Sequence, residues 1–148
     1  MKPLRHLVIL VALITAGSVA QRSCIAPALA LPQRVAEWSI VGKQSCAKPA
    51  LAQFQIVHGT SGAQLVCRAE YAGAPEMTLT IYAMPGWPGP TAFGAFQDWQ
   101  TGQRPPGTVT FYRPGYFGVV ESLQADVTTL KRFATAAEAT FSRDVKQP

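Results

Sequence analysis

Two stretches of alternating residues constrain this chain most. They are "QLVCRAEY", Gln64 to Tyr71, and "MTLTIYAM", Met77 to Met84, and they flank the breaker "AGAPE". In the first, Leu65, Cys67, Ala69 and Tyr71 share one face, opposite Val66, Arg68 and Glu70. In the second, Met77, Leu79, Ile81 and Ala83 share a face, and Thr78, Thr80 and Tyr82 are expected to point to solvent. Period-2 alternation with β-branched partners is the pattern of a half-buried strand. The glycine and proline between them interrupt the ladder, so the pair reads as a β-hairpin. A sheet must therefore organise the fold.

Other segments extend that sheet. "AEWSIVG", Ala36 to Gly42, reads as a first strand ended by Gly42-Lys43, and "LAQFQIVHG", Leu51 to Gly59, as a second. "TVTFY" and "YFGVVES" flank "RPG", where Pro114-Gly115 suits the centre of a type II turn. Phe111 and Phe117 of this hairpin are expected to face the core.

Two helices are predicted. "MPGWPGPTAFGAFQDWQ" begins with prolines and glycines that cannot continue a strand. It then places Phe93, Phe96 and Trp99 at helical spacing over 91–101, with Gly102 as a stop. All three aromatics are expected to pack on the sheet. The second helix covers 126–142, with Asp126 as its N-cap and Val127, Leu130, Phe133, Ala137 and Phe141 recurring on one face. The expectation is an α+β fold: a single antiparallel β-sheet with two packed helices, in one domain over 35–143.

The first thirty residues read as a signal peptide with a short linker. Lys2, Arg5 and His6 precede the apolar run "LVILVALIT", Leu7 to Thr15, and small residues follow. The run falls short of the ~20 apolar residues that span a bilayer, so no stable membrane anchor is expected after cleavage. Two small-x-small sites fit, "SVA" ending at Ala20 and "ALA" ending at Ala30. Cutting after Ala30 leaves an even pair of cysteines, Cys46 and Cys67, whereas cutting after Ala20 also keeps Cys24, either as a leftover thiol or as a lipid-modified residue. Export permits a Cys46–Cys67 disulfide, with the mature protein periplasmic or secreted.

Cutting after Ala30 removes Lys2, Arg5 and Arg22 and no acidic residue, which takes the net charge from +5 to +2. The scattered charge that remains lacks the basic stripe of a nucleic-acid surface. Two cysteines and His58 do not provide metal-ligand spacing, and no sequence pattern implies a cofactor.

From Arg68 to Phe141 the chain resembles a family of bacterial exported proteins whose domain has no known function. The matching motifs are "IYAM", "PTAFGAF" and "RPGYFGVV", followed by a closing helix. It is also similar to the PsbP-like arrangement, an antiparallel sheet flanked by helices. The resemblance implies fold and export, and no catalytic residues.

Catalytic patterns are sparse. No nucleophile elbow accompanies His58, and the glycine-rich stretches match no phosphate loop. The expectation is a non-catalytic exported module that binds a partner protein or small ligand through Trp87, Tyr112, Arg113 and Tyr116, residue types that anchor interfaces. The alternative is a small enzyme using His58, Arg68 and Glu70, with Glu70 and Glu76 as a second possible acid pair.

Overall fold

A computed structural model describes residues 29–52, 60, 62–102 and 104–143. Residues 1–28, which hold most of the expected leader, His58 and the greater part of the strand expected over Leu51–Gly59 lie outside the described residues. Leu51 itself closes a short 3-10 turn, Pro49–Leu51.

Among the described residues, six strands form one curled antiparallel sheet: β1 (Arg34–Val35), β2 (Trp38–Ala47), β3 (Leu65–Ala72), β4 (Met77–Ala83), β5 (Thr108–Arg113) and β6 (Tyr116–Glu121). Their spatial order is β1-β2-β3-β4-β6-β5. Helix α1 (Ala92–Thr101) connects β4 to β5, and α2 (Val127–Arg143) closes the fold. Both β4 and β5 pair antiparallel with β6, so they run in the same direction. A hairpin turn cannot join such strands, and a helical crossover is needed. The proline- and glycine-rich run after Met84 begins that crossover. Thr91 then caps α1, its hydroxyl accepting from the Gly94 N–H at 2.9 Å.

One difference from the sequence reading concerns β2. Gly42-Lys43 does not end the strand: the chain bulges between Val41 and Ser45 and continues to Ala47. The bulge places Cys46 opposite Cys67, and the two form a disulfide across the strands, with Cα atoms 4.1 Å apart. The bridge closes a loop of about 22 residues and is worth roughly 3 kcal/mol.

The second difference decides the architecture. Tyr82 and Thr80 do not face solvent; they are 1% and 2% exposed. The sheet is covered on both faces. Helix α2 packs on the face of Cys67, Ala69, Tyr71, Leu79 and Ile81, while α1 packs on the face of Val66, Tyr82, Phe117 and Val119. Phe111 and Phe117 are both buried, on opposite faces. Alternation establishes that a strand has two unlike faces, but it does not say that a second helix will cover the more polar one.

On the α2 face, Phe133 meets Trp38 and Tyr71 edge-on, each at 5.3 Å between ring centroids. Trp38 donates from Nε1 to the Pro75 carbonyl at 2.7 Å, and Arg132 lies over its indole while pairing with Glu37. Asp126 caps α2 as expected, Oδ1 accepting from the Thr129 N–H at 2.7 Å. That hydrogen bond holds its carboxyl below the ordinary carboxylate range. The folded unit also begins earlier than residue 35: Leu29 and Leu31 are buried in the same core.

Candidate functional site

Strand register arranges the α1 face into three rows. The first is Val66, Tyr82, Phe117 and Tyr112, apolar and aromatic. The second is Arg68, Thr80, Val119 and Thr110. The third is Val41, Glu70, Thr78, Glu121 and Thr108. Helix α1 has ten residues, so it is about 15 Å long. Its buried Ala92, Ala95 and Trp99 share a core cluster with Val66, Tyr82 and Phe117 of the first row and with Val119 of the second. The third row is absent from that cluster and floors a cleft of about 600 Å³.

The floor presents Arg68, Glu70, Thr78 and Glu121. Glu76 and Met77 line the cleft from the β3–β4 hairpin, and Val41 lines it from β2. The opposite wall is formed by Pro105, Pro106 and Gly107, ahead of β5, with Thr108 at its start, and by Ser122–Gln124, after β6. Local hydrogen bonds stiffen this wall. The Ser122 N–H donates to the Gly107 carbonyl at 3.0 Å, and the Thr108 hydroxyl donates to the Pro105 carbonyl at 2.6 Å. Ser122 Oγ accepts from the N–H groups of Gln124 and Ala125, so this hydroxyl serves the backbone. Gly107 is required where it stands: its φ is +73°, and a Cβ there would lie 2.4 Å from the Ser122 carbonyl oxygen.

Glu70 and Glu121 flank Thr78 in register, so their backbones are about 10 Å apart, two strand spacings. With Glu76 they make the lining acidic, against one guanidinium, Arg68. Among the described residues, no three histidine, cysteine or acidic side chains are grouped so as to hold a metal ion. The lining presents carboxylates at some points and hydroxyl-bearing residues at others. Val41, Pro105, Pro106 and Leu123 supply apolar contact at the margins.

No family model, no curated protein and no solved structure matches this chain.

The structure distributes the residues singled out in the sequence over several places. Arg68, Glu70 and Glu76 come together in the cleft. His58 is outside the described residues, so its distance from Arg68 and Glu70 is not part of the geometry. Tyr112, Arg113 and Tyr116 do not form one patch, because alternation along the strand separates them. Tyr112 lies on the α1 face, with its ring 5.2 Å from Phe93 and 4.9 Å from Phe96. Arg113 and Tyr116 lie on the α2 face. There Arg113 Nε sits 3.2 Å from Glu138 Oε1, and the Tyr116 ring is 5.7 Å from Phe141. Trp87 stands 88% exposed in the loop before α1.

Sequence reasoning missed Glu121, Thr78, Thr108 and the Pro105-Pro106 wall. Their common signal is positional. On β3, β4, β5 and β6, the polar residues of one face fall at the same end of the sheet. That coincidence becomes visible only once strand order and register are known.

Proposed function

We propose that the chain is an exported, non-catalytic module that binds a small ligand in the cleft over Arg68, Glu70, Thr78 and Glu121. The observation that carries this reading is the bare third row. A helix covers one end of the face and leaves the other as a cleft whose volume lies in the range of small-molecule sites, roughly 300–1,000 Å³. Three carboxylates against one guanidinium favour a ligand that brings hydrogen-bond donors or a positive charge. Export is supported by the leader pattern and by the Cys46–Cys67 bridge, since disulfides persist in oxidising compartments.

A second reading, a partner protein docking on aromatic residues, rests on the exposure of Trp87 and of the Phe93–Tyr112 pair. Thermal-shift measurements with small amines, guanidinium compounds and matched carboxylates separate the two. The cleft reading predicts stabilisation by the cationic compounds, lost on combining Glu70→Gln with Glu121→Gln and retained in Trp87→Ala. Stabilisation that survives the double substitution would refute it.

A further inference from the structure

We infer that export removes the leader by hydrolysis at the Ala20–Gln21 bond, and that the second small-x-small sequence, ending at Ala30, is a structural element of the mature fold. The inference rests on the export reading and goes beyond it by assigning the processing site.

The observations concern the segment Leu29–Pro32. Leu29 is 7% exposed and Leu31 2%, and both join the α2-face core with Trp38, Tyr71, Phe133 and Phe141. Ala30 between them is exposed, so the segment alternates like a strand. One side chain supplies the pairing a neighbouring strand would give. The Leu31 N–H donates to Gln44 Oε1 at 2.6 Å, and Gln44 Nε2 donates to the Leu29 carbonyl at 2.6 Å. A third tie follows, from the Tyr71 hydroxyl to the Pro32 carbonyl at 2.7 Å. Gln44 lies within the β2 bulge between Val41 and Ser45, so the irregularity of the sheet coincides with the docking of this segment.

Cleavage after Ala30 would undo this arrangement in three ways. It removes the Leu29 side chain from the core. It takes away the carbonyl that Gln44 Nε2 uses and leaves that donor only the sulfur atoms of Cys46 and Cys67, at 3.1 and 4.0 Å, which are weaker acceptors. It also converts the Leu31 amide nitrogen into an ammonium group beside a side chain that is 2% exposed, which brings a charge to the margin of an apolar core. Cleavage after Ala20 costs none of these. One water is consumed: the carboxylate stays on Ala20 with the leader, and the new amino group is on Gln21. The same cut keeps Cys24 in the mature chain, ahead of the Cys46–Cys67 bridge.

The test is to express the full chain in an exporting bacterium and determine the N-terminus of the exported protein. Gln21 is expected. Leu31 would overturn the inference and leave export intact, and an uncut Met1 would overturn both. Two substitutions give a second readout. A bulky residue at the position before the cut blocks processing, so Ala20→Phe should accumulate precursor. Ala30→Phe alters an exposed position and should be processed as efficiently as the parent. Accumulation of precursor by Ala30→Phe would place the cut at Ala30 and refute the inference.

Discussion

The three aromatics of α1 offer a graded test of how this helix sits. Trp99 is 8% exposed, Phe96 is half-buried and Phe93 is 48% exposed. The sequence places all three on one apolar stripe, yet the helix turns Phe93 toward its rim, where it rests on Tyr112. Truncating a buried Trp or Phe to Ala costs about 3–5 kcal/mol, and Trp99→Ala belongs in that range. Full burial of a Phe side chain is worth up to about 3 kcal/mol, and Phe93 realises roughly half of it, so Phe93→Ala should cost about 1 kcal/mol. Ring contacts with Tyr112 add a similar increment to Phe93 and to Phe96, whose centroids lie 5.2 and 4.9 Å from it, and so leave their order unchanged. Phe96→Ala should fall between the two, near 2 kcal/mol. Urea unfolding of the parent and the three variants gives these values from the midpoints, provided the slope is unchanged. In a domain of this size about 1 kcal/mol moves the thermal midpoint by some 3–6 °C, so the ends of the series are well separated. A Phe93→Ala cost equal to that of Trp99→Ala would show that the helix is rotated on the sheet, and the position of the cleft beside it would no longer follow.

Three further outcomes are expected. Cys46→Ala, which alters an exposed half of the bridge, should lower stability by roughly 3 kcal/mol, and a dithiol reductant should lower the parent by a similar amount; a parent indifferent to reduction would refute the bridge. Gly118→Ala should cost about 1–3 kcal/mol, because a Cβ there would lie 2.4 Å from Phe111 Cζ, and Phe111→Leu in the same chain should recover part of the loss in a double-mutant cycle. Burial pushes the Tyr71 hydroxyl above its ordinary value, so the folded state keeps a proton that the unfolded chain releases above about pH 10. Stability should hold below that pH and fall as pH rises through it, more steeply than in Tyr71→Phe, as read by urea unfolding across an alkaline pH series.

Much of the fold was legible in local pattern. The β3–β4 alternation, the Pro114-Gly115 turn and the Asp126 cap depend on short-range chemistry, the Cys46–Cys67 pairing was read from the cysteine count, and each is present in the structure. Less was legible where the outcome depends on partners distant in sequence. The solvent-facing reading of Thr80 and Tyr82 failed because α1 returns over that face, which no residue of β4 announces. The end assigned at Gly42 failed because a bulge and a strand end use the same residue types. Leu29 and Leu31 looked like part of a leader because small and apolar residues serve both roles, and only Gln44 and Tyr71 reveal their place in the core.

The candidate site shows the same division. Arg68, Glu70 and Glu76 could be singled out as polar residues around one hairpin. Glu121 and Thr108 join them only through the β4–β6–β5 order, which places β6 beside β4 although α1 and β5 intervene in the chain. In Trp87, Tyr112, Arg113 and Tyr116, nearness in sequence suggested a single surface. The two-residue period divides Tyr112 from its neighbours across the sheet.

The most direct test is an amide-resolved NMR titration of the protein with butylamine and, separately, with butyrate. The account predicts that butylamine shifts the amides of Glu70, Thr78, Thr108 and Glu121, that butyrate leaves them in place, and that Phe93 and Tyr112 respond to neither. Shifts centred on Phe93 and Tyr112, or equal responses to the amine and the carboxylate in the cleft, would contradict it.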